Sequence, residues 1–395
     1  MDLHIGDHVT ISIESVAFGG EGLGRLRNMA LFVPFTAEGD VVEAQVTEVK
    51  KRFARGRLVR IIEPSTFRVE PRCLYFGHCG GCAYQHIKYD RQLQFKKQQL
   101  KDAFERIGKL PASPVTDTIP SPVIYGYRGK ADFHVETASD GRRLIGFKDM
   151  NGQLVEIERC EIVDNSINKN LDFLRKKVAR GAIPVSGNRF SVWSGTSPDA
   201  SIPSGKRPVI ERTIGKHSFT VPADGFFQAN TVLVEKLVDE VNRLSNLKGT
   251  ERVVDAHCGV GLFSLFLAHA AGSIYGIDTN GDTIRCARFN AKKAGINNVN
   301  FVKGDAGEKL RSRFAAAGKT VDVIILDPPR SGCNERTLSA VSQIRPRKLI
   351  YVSCNPATQA RDCRYLTDRG LILKNLIPID MFPQTAHIET MAILQ

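Results

Sequence analysis

No apolar stretch in this sequence is long enough to cross a bilayer: the longest, around Leu262 to Ala271, is about half of the roughly 20 residues a span needs. The opening Met1-Asp2-Leu3-His4 lacks the basic region and apolar run of a signal peptide. No internal repeat or low-complexity tract stands out, which sets fibrous and disordered classes aside. Acidic residues fall short of basic ones, 42 against 55, leaving a formal charge of +13. Nine cysteines, an odd number scattered along the chain, do not read as a disulfide framework, so the expectation is a cytoplasmic protein with thiols and no membrane contact.

What is present is globular. With 395 residues, 42% hydrophobic and 25% charged, the chain has room for two or three domains and their cores. The positive charge points to a polyanionic partner, nucleic acid first, although a basic solvated surface would give the same count.

The first sixty residues alternate in short segments. Val9 to Ile13, Ala30 to Val33, Val41 to Val49 and Arg57 to Ile62 are expected strands, with Gly19-Gly20-Glu21-Gly22 as a turn, and together they suggest a small OB-like barrel. Lys50, Lys51, Arg52, Arg55, Arg57 and Arg60 form a basic edge where such a barrel holds a nucleic-acid backbone. Residues 1–61 are therefore assigned to the barrel and 62–216 to a middle domain. The latter has a polar helix at Arg91 to Ile107 and Gly, Pro and Ser breaks near Pro111 to Pro122 and Ser194 to Pro208. From 217 to 395 strands and helices alternate, which predicts a mostly parallel doubly wound sheet.

In that last segment, strand Arg252 to His257 runs into Cys258-Gly259-Val260-Gly261 and a helix. The glycine turn at Gly259 lets backbone approach a ligand, and Asp278 ends the next strand seventeen residues after Gly261, where a carboxylate holds ribose hydroxyls. Asp305 ends the third strand, suited to an adenine edge. Ser264 stands where a dinucleotide fingerprint has its third glycine, so the pattern fits S-adenosylmethionine better than a nicotinamide dinucleotide.

Asp327-Pro328-Pro329-Arg330-Ser331-Gly332 and Ser353-Cys354-Asn355-Pro356 end the next two strands, which makes Cys354 a candidate nucleophile at the crevice. A lone strand-end Cys is more often a small buried hydrophobe, the reading kept for Cys286, Cys333 and Cys363. Cys73, Cys79, Cys82 and Cys160 supply four thiolates for one metal site, and spacing alone leaves structural zinc and an iron-sulfur cluster equally open.

Two long motifs, Asp327 to Gly332 followed by Ile350 to Thr358, and Ile379 to Glu389, resemble the uridine C5 RNA methyltransferases that use S-adenosylmethionine. The N-terminal barrel resembles their TRAM domain, and Phe226-Phe227-Gln228-Ala229-Asn230 looks like the segment preceding their catalytic core. The resemblance implies a TRAM barrel, an iron-sulfur middle domain and a Rossmann-like class I methyltransferase domain. It implies Cys354 as nucleophile, Glu389 as general base, and Gln228, His257, Asp278 and Asp327 as cofactor contacts. The chain departs from the family at His257 and Leu262, where an aromatic and an Asn are usual, and Asp278 is one methylene shorter than the usual glutamate. It also implies a [4Fe-4S] cluster on Cys73, Cys79, Cys82 and Cys160, structural or RNA-organising because full thiolate ligation leaves no iron open. The expected target is a uridine of 23S rRNA; a tRNA T-loop uridine, or a silent RNA-binding factor, is the alternative. A monomer is expected.

Overall fold

The computed structural model describes residues 3–110, 114–180, 189–196 and 208–395. The start of the Pro111 to Pro122 stretch and most of Ser194 to Pro208 lie outside the described residues.

Five strands, β1 (His8–Val16), β2 (Glu21–Leu26), β3 (Met29–Pro34), β4 (Val41–Val49) and β5 (Phe53–Glu63), close into a barrel in the order β1-β2-β3-β5-β4. Alternating side chains, among them Ile11, Ile13, Leu31, Val33, Val42 and Ala44, fill its interior. Strand β2 was not expected, because Gly22 reads as turn chemistry. The true turn ends at Gly20, and Gly22 sits inside the strand: a Cβ there would stand 1.9 Å from Thr36 Oγ1.

Helix α1 (Tyr89–Arg106) follows, then β6 (Lys130–Thr137), β7 (Arg143–Lys148), β8 (Leu154–Glu156), α2 (Asn165–Ala179) and β9 (Arg189–Trp193). These strands form a sheet ordered β8-β7-β6-β9, with α2 packed on it through Ile167, Leu171 and Leu174. The helix expected at Arg91 to Ile107 is α1, but its apolar side leaves this sheet. Leu100 and Phe104 share a core with Ala360, Cys363 and Leu366 far along the chain.

A hairpin of β10 (Val209–Ile214) and β11 (His217–Pro222) precedes α3 (Val234–Ser245). The expected boundary at 216/217 falls in the turn of this hairpin, whose two strands pack together on the catalytic core through Ile210, Ile214, Phe219 and Val221. The remaining elements are β12 (Arg252–Asp255), α4 (Leu262–Leu267), β13 (Ser273–Asp278), α5 (Gly281–Lys293), β14 (Val299–Lys303), α6 (Ala306–Leu310), β15 (Val323–Leu326), α7 (Glu335–Ile344), β16 (Lys348–Ser353), α8 (Pro356–Thr367), β17 (Leu373–Ile379) and β18 (Glu389–Leu394). They make a seven-stranded sheet ordered β14-β13-β12-β15-β16-β18-β17. Six strands run in one direction, and β18 inserts antiparallel between β16 and β17. Near-continuous Val, Ile and Leu in β15 and β16 are what a sheet covered on both faces requires. Among the described residues no helix is long and apolar enough to cross a membrane.

Candidate active site

The carboxyl ends of β12, β13, β15 and β16 open on one crevice, as parallel sheets arrange their ligand sites. Gly259 adopts φ +53°, and a Cβ placed on it would meet nothing within 4 Å, so the loop after β12 leaves open space beside it. Asp278 steadies this loop, accepting from the Gly259 N–H at 3.1 Å and from Asn280 N–H at 2.8 Å. Asp305 is the N-cap of α6, accepting from Glu308 N–H at 2.9 Å, and its other oxygen accepts from Asn334 at 3.3 Å. That carboxylate therefore has a structural duty besides any ligand contact. Gln228 is buried, and half-buried His257 has an enclosed Nδ1 with no partner; burial pushes its pKa down to about 4, leaving it neutral.

Carboxylates gather at the centre of the crevice. Asp255 is sealed, with one oxygen accepting from Ser264 Oγ at 2.7 Å and the other unpartnered. Burial pushes its pKa up to about 6, and burial with the neighbouring Asp255 charge pushes Asp327 up to about 7. Buried anions without a cation are costly. This side of the crevice is suited to a positively charged ligand, and Gly259 leaves room for one.

Cys354 follows β16 directly. Asn355 then caps α8, accepting from Ala357 N–H at 3.1 Å, with Pro356 at the first helical position. The register of β16 and β18 pairs Ser353 with Thr390, so Cys354 and Glu389 are the next residues out across the two strands. Thr390 Oγ1 donates to Ser353 O at 3.0 Å, pinning that end of the ladder. Glu389 is buried, and burial together with Asp327 holds its carboxyl well above the usual range, while Arg330 pulls it down. Burial and Glu389 push the Cys354 thiol up to about 11, opposed by the nearby Arg330 guanidinium. Arg330 Nη2 also lies 3.3 Å from His387 Nε2, and burial pushes His387 down to about 4, so its neutral ring accepts from the arginine. Arg330 and His387 lie within the two motifs quoted from the sequence, yet neither was singled out there. Their pairing across 57 residues is visible only in the fold.

Cys73, Cys79, Cys82 and Cys160 line one cavity of about 310 Å³. Burial pushes Cys82 up to about 12 and Cys160 up to about 11, and the neighbouring sulfurs add to both effects. Gln85 accepts from Cys73 N–H at 3.0 Å and Asn168 accepts from Cys160 N–H at 2.9 Å, fixing two of the four backbones. Among the described residues no group of three or more His, Cys, Asp or Glu is set to hold a metal ion. Thiolates about one zinc lie about 2.3 Å from it. The four thiols share the wall of this one cavity.

Half of the basic edge of the barrel is ion-paired within the chain. Arg55 pairs with Glu21 at 2.5 Å, Arg60 with Glu43 at 2.7 Å and Lys50 with Glu48 at 2.8 Å, while Arg57 donates to Gln45. Lys51, Arg52 and Arg57 form no ion pair among the described residues, so their charges are left for a phosphate.

Residues 208–395 match the family model described as tRNA (Uracil-5-)-methyltransferase, and residues 3–59 match the TRAM domain. A relative named an uncharacterized RNA methyltransferase, from Halalkalibacterium halodurans, is 34% identical over 98% of this chain and 97% of its own length. Another of the same description, from Clostridium acetobutylicum, is 32% identical over 98% and 96%. Among solved structures, the Pyrococcus abyssi tRNA (uracil-54, C5)-methyltransferase in complex with S-adenosyl-L-homocysteine superposes with a TM-score of 0.75 at 25% identity, covering 98% of this chain and 100% of that one. With its TRAM barrel and its S-adenosylmethionine-dependent catalytic fold, the chain belongs to the RNA uracil-5-methyltransferase family.

Proposed function

We propose that this enzyme methylates C5 of one uridine in 23S rRNA through a covalent bond between Cys354 Sγ and uracil C6. The observation that carries the reading is the meeting of Cys354, Glu389 and Arg330 at the crevice, with Asp327 beside them. Uracil C5 is a poor nucleophile. A thiolate adding to C6 pushes an electron pair through the ring and makes C5 enolate-like. The Arg330 charge favours that thiolate. S-adenosylmethionine, when bound, supplies the electrophilic methyl group as a sulfonium. Glu389 then takes the C5 proton, the pair left on C5 re-forms the C5–C6 double bond, and the S–C6 bond breaks to return the Cys354 thiolate.

In this reading Gln228, His257, Gly259, Asp278, Asp305 and Asp327 hold S-adenosylmethionine. Asp255 remains behind them as a buried support. Cys73, Cys79, Cys82 and Cys160 would hold a [4Fe-4S] cluster, whose contribution is structural: it fixes the Cys79 to Cys82 loop. The rRNA target rests on the resemblance that joins a TRAM barrel to this four-cysteine segment. A tRNA uridine is the second reading, supported by the substrate named for the Pyrococcus abyssi enzyme. Mapping 5-methyluridine in rRNA and tRNA from cells with and without the gene tests both. Loss of the nucleoside from 23S rRNA supports the first, loss from tRNA alone the second, and loss from neither overturns the activity.

A further inference from the structure

The cavity into which Cys354 opens is about 290 Å³, and distant parts of the chain build it. Arg330, Cys354 and His387 come from the catalytic sheet, the Cys79 to Cys82 loop from the four-cysteine segment, and Phe18, Gly19 and Gly20 from the turn between β1 and β2 of the barrel. The volume is at the lower bound of ordinary ligand pockets, about 300 Å³, so it accommodates one base and not a folded RNA.

The barrel turn is held in this position by more than proximity. Ala17 N–H donates to Glu21 O at 2.9 Å, and Gly20 N–H to Ala17 O at 3.0 Å. Gln99, buried on α1, donates to Val16 O at 3.0 Å and to Ala17 O at 3.2 Å. A Cβ on Gly20, which has φ +95°, would stand 2.6 Å from Ala83 Cβ and 3.5 Å from Ala386 Cβ, so the turn packs directly on both other walls. Val16, Ala37, Tyr84, Ile87 and Phe95 form one small core across this junction. Phe18 belongs to none of the five buried apolar clusters and makes no ring contact among the described residues. It is 46% exposed at the tip of a rigid turn, beside the nucleophile's cavity.

We infer that Phe18 is an RNA-binding residue of the active site, stacking on a nucleotide that flanks the target uridine, so that the barrel forms part of the base-binding cavity instead of serving only as a remote phosphate handle. The inference rests on the methyltransferase reading above. Extruding the target base leaves its neighbours without a stacking partner. An aromatic side chain on a fixed turn replaces that partner, and it does so for any base because every base has a π face. Phe18 has no part in holding S-adenosylmethionine or in the bond changes at C5 and C6.

The test uses the full chain, S-adenosylmethionine and total RNA from cells lacking the gene, with 5-methyluridine formation followed by nucleoside mass spectrometry. Phe18→Ala and Phe18→Leu are expected to raise the KM for RNA about 5- to 150-fold, the range of one base–aromatic stack. Phe18→Tyr is expected to restore it. S-adenosylmethionine affinity and the rate at saturating RNA should stay within about twofold in all three, which also shows that each variant is folded. Wild-type KM in the alanine variant, or full rescue by leucine, overturns the stacking role. Failure of the wild-type enzyme to form 5-methyluridine would instead overturn the methyltransferase reading itself.

Discussion

Cys354 and Glu389 lie 35 residues apart in sequence and face one another across the ends of β16 and β18, because the antiparallel register brings Ser353 opposite Thr390. The Glu389 charge raises the proton affinity of the Cys354 thiol, so the two do not readily carry negative charge together. One deprotonated group at a time is what a mechanism needs in which a thiolate attacks first and a carboxylate takes a proton later.

Glu389→Gln separates those two steps. Addition and methyl transfer precede the step Glu389 serves, so the variant is expected to accumulate a methylated RNA still joined to protein, with turnover reduced by about 10²- to 10⁴-fold. Denaturing gel analysis with a labelled methyl group checks this. Release of methylated RNA at the wild-type rate would remove Glu389 from the base role.

The raised carboxylates give S-adenosylmethionine binding a pH dependence of defined sign. Asp255, held at about 6, and Asp327, held at about 7, are partly protonated in the empty crevice near neutrality, whereas a sulfonium favours their charged forms. Affinity should rise from pH 5 to pH 8, with protons released on binding. Calorimetric titration in two buffers of different ionisation heat measures that release. Constant affinity with no proton release would contradict the expected role of Asp327, and Asp327→Asn should flatten the profile.

Anaerobically purified protein is expected to be brown and to carry about four irons per chain. Replacing Cys82 or Cys160 by Ser should remove most of the iron and lower the unfolding temperature. Stoichiometric zinc in place of iron, or full stability and iron content in both variants, would exclude the cluster.

Helix α1 anchors the catalytic loop through a sealed ion pair. Lys96 Nζ lies 2.5 Å from Asp380 Oδ1 and donates to Phe382 O at 3.0 Å, with both charged side chains out of contact with water. Removing one member strands the other, so Lys96→Met should cost about 3 to 5 kcal/mol of stability. The double variant Lys96→Met with Asp380→Asn is expected to recover part of that loss in chemical denaturation. Simple additivity of the two changes would mean the pair is not coupled.

The legibility of this protein in its sequence follows the range of its interactions. Cys354, Glu389 and Asp327 could be named because each sits in a long motif at a strand end. The doubly wound sheet could be read because alternation is local. Strand β2 was hidden because Gly22, which the packing of Thr36 demands, carries a turn signature. The loyalty of α1 to the catalytic sheet was hidden because its deciding partner, Asp380, is 284 residues away from Lys96. The pairing within the basic edge was hidden for the same reason: Glu21 and Glu43 meet Arg55 and Arg60 across strands. Cysteine spacing brought four thiols together on paper but gave no hint that the Cys79 to Cys82 loop also walls the cavity of Cys354.

The covalent bond from Cys354 to uracil C6 is tested most directly by incubating the full chain with S-adenosylmethionine and RNA containing 5-fluorouridine, whose C5 substituent cannot leave as a proton. Mass spectrometry of the denatured product is expected to show protein joined to RNA with one added methyl group, and the joined peptide to contain Cys354. Cys354→Ala should form no such species while binding S-adenosylmethionine normally. Methylation of unsubstituted RNA by the alanine variant, or a wild-type adduct on any other residue, would contradict the account.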